Sequence, residues 1–523
     1  MGVTIFAAID VGSHETSMKI YEISKKYGIH QIDYVHHSAR LGLETYSTKH
    51  ISYHTIDNLC SILNGFLEKM KEYDIKDYMI TATSAIREAD NNLMVLDQVK
   101  QRTGFIIKIL SNSEQRYLCY KSIALKENSF HKLIQKGTLL VDVGGGSIQL
   151  SLFDKNALIA TQNIMLGSLR IQEILQDMKN KTDNYQNLVY EYIANDLHTF
   201  ARLYLADHNV KNIIAVGNQL SSFVKYLSVH NFGNLQPFDA KGNKKDSINK
   251  QEYDEFYNSI ISQTPDELAK ELNTTIDRAS LLLPIAMIYH TIIEETDAEQ
   301  IWLSGITLCD GMVADFAERK EKILPALNFS DQILSTSRNI AMRYQGDKKH
   351  LQSVENSCLK IFDAVKRQNN LTKHDRLLIQ IAAILHNCGS FINMNDVGEN
   401  SYKIVMSTEI IGISHMERVL VAHIIRYSGQ YFPKFTDICY IFSKEEYIKL
   451  AKLNAILRLA DAMDKSHKQK FRNVTVTTQK NRLIITGQTL YDITLEQGIF
   501  DMYSDFFEEL YGITPVLKQK KTF

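Results

Sequence analysis

The chain has 523 residues, of which 44% are hydrophobic and 23% are charged, and its formal net charge is −1. This length exceeds what one hydrophobic core supports and predicts three or four globular domains. The balanced charge provides no overall attraction to a polyanion, so we expect no nucleic-acid partner, and any phosphate polymer must be bound by local basic patches.

Cysteine usage and apolar segments bear on the location of the protein. The six cysteines are scattered without CxxC pairs, so we expect reduced thiols in the core. The first strand is predicted to begin by Val3 with no signal sequence before it, and no apolar run is long enough to span a bilayer. These features predict a cytoplasmic protein without an integral membrane segment.

The N-terminal part of the chain alternates between strand and helix patterns. Three strands are predicted over Val3–Val11, Ser17–Ile23 and Ile29–Ser38. Apolar residues at helical spacing between Ile56 and Met70 then predict an amphipathic helix that covers one face of their sheet. The alternation predicts a mixed α/β lobe.

The stretch Leu139–Phe153, LLVDVGGGSIQLSLF, has the pattern of a phosphate site. Asp142 ends a predicted buried strand, and Gly144–Gly146 allow the backbone to adopt positive φ and to approach an anion closely. Ser147 adds a hydroxyl group. An ordinary tight hairpin has the same pattern, so this stretch alone leaves both interpretations open.

A second copy of the unit favours the phosphate site. Phe6–Tyr21 reads FAAIDVGSHETSMKIY, and it aligns Asp10 with Asp142 and Gly12 with Gly144. The strands that follow both turns also match. The repeat predicts two similar lobes that hold a phosphate chain between two hairpins, with both acids directed to a metal ion.

Further segments, together with the two hairpins, carry a resemblance to a known family. They are Ala82–Asn91 (ATSAIREADN), Leu110–Tyr117 (LSNSEQRY), Met165–Arg170 (MLGSLR), Val216–Leu220 (VGNQL) and Ser304–Gly311 (SGITLCDG). With them the chain resembles the acetate kinase, actin and heat-shock ATPase superfamily, and within it the exopolyphosphatase and guanosine pentaphosphate phosphohydrolase family. The resemblance extends over nearly the whole chain.

The resemblance implies an α/β fold with two actin-like (ribonuclease H-like) lobes, an all-α HD-like domain and a small α+β C-terminal domain. We expect lobe I at residues 1–124, lobe II at 125–311, the helical domain at 312–472 and the C-terminal domain at 473–523. The first helix of the helical domain is expected to pack back on lobe I.

The resemblance also implies roles in catalysis. Asp10 and Asp142 would hold Mg²⁺, Arg87 would neutralise phosphate oxygens, and Glu114 would orient and deprotonate the attacking water. Glu114 alone has a simpler explanation, because acids favour helix N-termini. The resemblance favours the catalytic role, although Gln115 replaces the second Glu of the family. The implied phosphate-binding residues are Gly12, Ser13, His14, Gly144, Gly145, Gly146, Ser147 and Arg170.

Three residues depart from the family pattern near the predicted site. In the family the first hairpin has Asn and Ser at the positions of His14 and Glu15, and the family has an Arg at the position of Cys309. As a cation below a pH of about 6.5, His14 would bind phosphate more strongly. We expect Glu15 to face outward or to help coordinate the metal, because its charge would otherwise repel the substrate.

The C-terminal part of the chain is predicted to be largely helical. Asp375–Asn387 is apolar nearly all round, which predicts a buried central helix. His350, His386 and Asp461 match metal ligands of an active HD domain, but Asn387 stands where the paired acid belongs. Because Asn binds divalent metals less strongly than a carboxylate, we expect no transition metal here and a structural role for His386.

The predicted substrate is a phosphate chain. The first hypothesis is an exopolyphosphatase that releases orthophosphate from linear polyphosphate, and the second is a hydrolase of guanosine pentaphosphate or a related (p)ppGpp-type substrate. The third is a sensor that binds either ligand without turnover. The basic stretches Lys241–Lys250 and Lys465–Arg472 are candidate contacts to a polymer, although most charge runs are solvated surface. The long helical part favours polyphosphate, and the resemblance implies a homodimer.

Overall fold

Two sheets organise residues 1–328 of the computed structural model. Residues 329–523 form a second compact unit. The structure describes residues 3–126, 130–175, 184–217, 247–321, 329–429 and 431–521, together with residues 178, 181, 226 and 323. Residues 218–220 of the Gly-rich segment and residues 241–246 of the first basic stretch lie outside this set.

The two sheets repeat one plan. The first contains β1 (Thr4–Val11), β2 (Glu15–Ser24), β3 (Gly28–Ser38), β4 (Asp77–Ala82) and β5 (Lys108–Ile109). The second contains β6 (Gly137–Val143), β7 (Ile148–Asp154), β8 (Ala157–Ile164), β9 (Val210–Val216), β10 (Ser247–Asn249) and β11 (Gln300–Leu303). Their orders are β3-β2-β1-β4-β5 and β8-β7-β6-β9-β11-β10, so the second adds only an edge strand. In both sheets the first three strands pair antiparallel. The parallel pairs are β1 with β4 and β4 with β5 in the first sheet, and β6 with β9 and β9 with β11 in the second.

Helices cover these sheets as the apolar spacing predicts. The helix α2 (Tyr53–Glu72) begins after its N-cap Ser52 and buries Ile56, Leu59, Leu63 and Phe66. The described helices of this unit are α1 (Leu41–Thr48), α2 (Tyr53–Glu72), α3 (Ser84–Glu88), α4 (Asn92–Thr103), α5 (Asn112–Lys126), α6 (Phe130–Leu133), α7 (Ser168–Leu175), α8 (Tyr185–Tyr204), α9 (Lys250–Ile261), α10 (Pro265–Glu271), α11 (Ile276–Ser280), α12 (Leu282–Glu294) and α13 (Leu308–Phe316).

The helix α13 connects the end of the second sheet to the first. Its residues Met312 and Val313 pack with Phe6 and Ala8 of β1 in one buried cluster. The sequence predicted this return of the chain to the first lobe.

One stretch among the described residues, 276–294, is long and apolar enough to cross a membrane by length and composition alone. It comprises α11 and α12, and 67% of its apolar window is buried inside the protein. Such burial is that of a packed core helix.

The second unit is a helical bundle with a small sheet. Its strands are β12 (Arg472–Gln479), β13 (Arg482–Gln488) and β14 (Thr514–Lys520), in that order. Its helices are α14 (Phe329–Arg343), α15 (Lys348–Val365), α16 (Lys373–Leu385), α17 (Val397–Ser407), α18 (His415–Arg426), α19 (Phe435–Ile438), α20 (Lys444–Ala462) and α21 (Thr494–Tyr511). The central helix α16 is buried as predicted. The sheet and α21 contribute Leu483, Phe500 and Leu517 to the same core as the bundle.

Candidate active site

Two equivalent turns lie at the ends of β1 and β6. The amide of Gly12 donates to the carbonyl of Glu15 at 3.0 Å, and the amide of Gly144 donates to the carbonyl of Ser147 at 2.9 Å. The registers of the two hairpins also agree, with Asp10 opposite Ser17 and Asp142 opposite Gln149. The repeat predicted from the sequence is therefore present in the structure.

Both turns line one cavity between the two lobes. The predicted site residues that line it are Asp10, Gly12, Ser13, His14, Asp142, Gly144, Gly145 and Ser147. Glu114, Arg87, Gly146 and Arg170 are not among its lining residues. The cavity is also lined by Glu15 and by Gln115 and Arg278, and the sequence assigned no role in binding to the last two.

The two aspartates of the cavity share a buried, negatively charged environment. Burial, together with the charges of Asp142 and Glu15, raises the pKa of Asp10 to about 7. Burial also raises the pKa of Asp142 to about 6, although Arg116 and a hydrogen bond from Gln115 act in the opposite direction. Because like charges in a dry site resist ionisation together, the pair needs a cation to be fully charged at neutral pH.

The donor set of the cavity fits a Mg²⁺ ion. Magnesium prefers oxygen ligands and one or two carboxylates, which Asp10 and Asp142 supply. The side-chain oxygen of Gln149 is buried in the same cavity without a hydrogen-bond partner among the described residues. Such an oxygen is suited to accept a hydrogen bond from a metal-bound water.

Close packing, and not positive φ, requires a glycine at Gly146 of the second turn, which corrects the sequence prediction. None of Gly144, Gly145 and Gly146 has a positive φ. A Cβ atom on Gly146 would overlap the hydroxyl of Tyr46 and lie 2.7 Å from that of Ser84. These two hydroxyls and that of Ser13 form a buried triangle with O···O distances of 2.6, 2.9 and 3.0 Å. The triangle holds Ser13 of the first turn, and Gly146 of the second turn packs against it.

Glu15 faces the cavity, and Arg278 neutralises it. The guanidinium of Arg278 forms a salt bridge with the carboxylate of Glu15, and both side chains are largely buried. The expectation that Glu15 faces outward is therefore wrong, while the alternative that it helps to coordinate the metal stays a prediction. His14 beside it is buried, and burial lowers its pKa, so the ring is neutral at neutral pH. Its Nδ1 atom has no hydrogen-bond partner among the described residues and is available to a ligand in the cavity.

Two family models match the chain. The model of the Ppx/GppA phosphatase family matches residues 20–320, and the model of Ppx/GppA phosphatase domain III matches residues 334–502. The chain belongs to the Ppx/GppA phosphatase family. Its two actin-like lobes are those of the Ppx/GppA fold.

Named relatives of the family are distant from this chain. The guanosine-5'-triphosphate,3'-diphosphate pyrophosphatase of Photobacterium profundum is 19% identical over 92% of this chain and 91% of its own length. The protein of the same name from Vibrio vulnificus is 21% identical over 81% of this chain and 80% of its own length. The solved exopolyphosphatase of Cytophaga hutchinsonii is 14% identical, covers 60% of this chain and 98% of its own, and has a TM-score of 0.53. That likeness supports the fold alone.

Glu114, which we expected to be the catalytic base of this Ppx/GppA chain, lies at the start of α5. Its carboxylate accepts hydrogen bonds from the amide and hydroxyl of Ser111 at 3.0 and 2.9 Å, and from Lys108 at 2.7 Å. The next residue, Gln115, lines the cavity and hydrogen-bonds to Asp142. The structure therefore places an amide, and not the predicted carboxylate, at the cavity wall.

The two predicted arginines bind protein groups beside the cavity. Arg87 donates to the carbonyl of Leu110 and to Asn112, both at 2.6 Å, and so holds the start of α5. Arg170 donates to the carbonyl of Gly146 at 2.7 Å and to Glu88 at 2.6 Å. Both side chains therefore support the walls of the site.

Two cations near the site were not predicted from the sequence. Arg116 is fully buried and acts electrostatically on Asp142. Lys19 on β2 donates to Asp310 on α13 at 2.8 Å, and both side chains are buried. Cys309 lies next to this pair, and burial raises the pKa of its thiol to about 12, so it stays neutral. A hydropathy pattern does not reveal such buried cations, because it predicts apolar residues at those positions.

Proposed function

We propose that this chain binds the end of a linear polyphosphate in the cavity between the two hairpins and hydrolyses the terminal phosphoanhydride bond. The observation that supports this most is the meeting of Asp10 and Asp142 with two glycine-containing turns in one cavity. The turns would offer backbone amides to the terminal phosphates, and Ser147 would add its hydroxyl. Bound at the two aspartates, Mg²⁺ would offset the charge of the phosphoryl group.

Gln115 is the residue best placed to orient the attacking water. Phosphoryl transfer has a loose transition state that needs positioning and charge stabilisation more than proton abstraction, and GTPases use a glutamine to orient the water. With its amide hydrogen-bonded to Asp142, Gln115 would accept a hydrogen bond from the water through its carbonyl oxygen. This proposal gives to Gln115 the role that was first assigned to its neighbour Glu114.

The reaction is a displacement at the terminal phosphorus atom. The water oxygen forms a bond to that atom, and the bond to the bridging oxygen breaks. The products are orthophosphate and a chain shortened by one phosphate. Because the water attacks the phosphorus atom directly, no covalent intermediate with the protein is required. The proton of the water passes to solvent or to a phosphate oxygen.

Two further candidates each have an observation in their favour. The names of the Photobacterium and Vibrio relatives favour a guanosine nucleotide with a 5'-triphosphate and a 3'-diphosphate. Gln115 at the cavity wall favours binding without turnover, because an amide cannot act as a general base. The homodimer and the cytoplasmic location stay predictions.

The experiment is a side-by-side assay of orthophosphate release from long polyphosphate and from guanosine pentaphosphate, with Mg²⁺ and with EDTA. We expect Mg²⁺-dependent release that is faster with polyphosphate. Faster release from the nucleotide would establish the second candidate. Tight binding of polyphosphate in a filter assay without release from either substrate would establish the third.

A further inference from the structure

A second cluster of metal-binding side chains lies in the helical unit, in the part of it that the structure describes. His350 lies on α15, His386 follows the end of α16, and Asp461 lies on α20. The Nε2 atoms of the two imidazoles are 3.2 Å apart. One oxygen of Asp461 is 3.6 Å from the first of these atoms and 3.5 Å from the second.

The other ring nitrogen of each histidine has an acceptor. Nδ1 of His350 lies 3.0 Å from the carboxylate of Asp464, and Nδ1 of His386 lies 2.8 Å from the carbonyl oxygen of Ala383. A carboxylate and a carbonyl accept hydrogen bonds, so each Nδ1 is the donor. The two Nε2 atoms therefore face each other and the carboxylate oxygen of Asp461.

Three potential ligand atoms converge on one point here, and either a metal ion or a proton shared by the two rings would satisfy them. The spacing fits a metal ion, because ligand atoms at about 2.0–2.1 Å around a tetrahedral zinc are about 3.3 Å apart. Metal-binding histidines also characteristically donate their other N–H to a carboxylate or a backbone carbonyl. Both histidines of the cluster have this arrangement.

We propose that His350, His386 and Asp461 bind one divalent transition-metal ion of the zinc or iron class. Two imidazoles and one carboxylate are a sufficient protein ligand set for such an ion, with water in the remaining position. This differs from the expectation that Asn387 makes the centre incompetent, since the three remaining ligands converge without it. Lys465 lies 3.2 Å from the other oxygen of Asp461, which leaves one oxygen for the metal.

The ion would connect three helices that are distant in the sequence. Because α15, α16 and α20 each supply one ligand, the bound ion holds them together and stabilises the bundle. Asp464 is a positioning residue that orients the ring of His350. The proposal is independent of the phosphate cavity, which lies in the other unit.

The test is metal analysis of the full chain purified without chelator and then incubated with Zn²⁺ or Fe²⁺ and desalted. We expect about one metal ion per chain in the parent and less than a tenth of that in His386→Ala. His423→Ala is the matched control, because His423 is buried in the same unit and its Nδ1 contacts the carbonyl of Val419 at 2.8 Å. It should retain the ion.

Two further measurements distinguish the loss of a metal ligand from a folding defect. Asp464→Asn should bind the metal roughly 10 to 100 times more weakly, as is typical when the partner of a metal-binding histidine is lost. Zn²⁺ should raise the unfolding temperature of the parent and leave that of His386→Ala unchanged. A parent that binds no metal would overturn the proposal, because a proton shared by the two imidazoles would then be the cation. Equal metal content in the parent and His386→Ala would also overturn it.

Discussion

The side-chain amide of Gln115 hydrogen-bonds to the carboxylate of Asp142, while its neighbour Glu114 is bound to Ser111 and Lys108 outside the cavity. Successive helical residues point about 100° apart, so only one of the two can face the cavity. Under the proposed function, the residue that positions the water would therefore be an amide, Gln115.

Gln115→Ala should lower the rate of orthophosphate release. The variant loses both the carbonyl oxygen proposed to orient the water and the amide that hydrogen-bonds to Asp142. We expect a decrease in kcat of about 100-fold, measured with saturating polyphosphate and Mg²⁺, because misplacing a reacting group by about 1 Å costs about this much. Glu114→Gln is the matched variant and should change kcat less than about threefold. A loss of about 100-fold in Glu114→Gln, with Gln115→Ala unchanged, would return the catalytic role to Glu114.

The stability of the metal-free protein should depend on pH through Asp10. Burial, with help from Asp142, raises the pKa of Asp10 to about 7 in the folded state from 3.8, so the folded state holds the proton more tightly. The stabilisation is complete below about pH 4 and is lost as the pH rises to about 7. In EDTA, the unfolding temperature of the parent should therefore fall relative to that of Asp10→Asn as the pH rises from 5 to 7.5. A constant difference would show that Asp10 is not buried in this way.

The salt bridge between Glu15 and Arg278 should control the affinity for phosphate. Arg278→Ala leaves the Glu15 charge unpaired beside the substrate, and we expect KM for polyphosphate to rise about tenfold. Adding Glu15→Gln should recover most of this loss, which a double-mutant cycle measures. Additive effects of the two substitutions would mean that the pair does not act on the substrate together.

Lys470 should contribute to stability and not to polymer binding. Its ammonium lies 2.7 Å from the fully buried carboxylate of Glu496 and 2.8 Å from the carbonyl of Asp492. Removing one partner of a buried pair costs about 3 kcal/mol, so we expect Lys470→Ala to lower the free energy of unfolding by this amount in urea titrations. Lys468→Ala, the neighbouring control, should have almost no effect. Equal stabilities of the two variants would place both lysines on the solvated surface.

The sequence predicted the features of the site that depend on local pattern. The two hairpins were recognisable because the acid, the glycine and the alternating strand occur within a few residues, as Asp10 and Asp142 illustrate. The choice between Glu114 and Gln115 depends on the rotation of a helix against the lobe, which no local pattern specifies. Arg278 pairs with Glu15 across 263 residues, so only the folded chain reveals it.

The metal cluster illustrates the same limit in the helical unit. The ligand positions His350, His386 and Asp461 were recognisable, but the sequence indicated an incomplete set because Asn387 is neutral. The orientation of the rings by Asp464 and by the carbonyl of Ala383 depends on tertiary contacts. If the proposed ion binds, a single charge missing from a motif is weak evidence against a site whose remaining ligands are held in place.

The most direct test of the proposed phosphate site is the Mg²⁺ dependence of orthophosphate release from polyphosphate in the parent, in Asp142→Asn and in Asp154→Asn. Asp154 lies at the end of β7, outside the lining of the cavity, and controls for the loss of a charge on the same hairpin. If Asp142 holds the ion, Asp142→Asn needs at least about ten times more Mg²⁺ for half-maximal release, because a carboxylate ligand is lost, while Asp154→Asn matches the parent. Superimposed curves for the parent and Asp142→Asn would contradict the assignment.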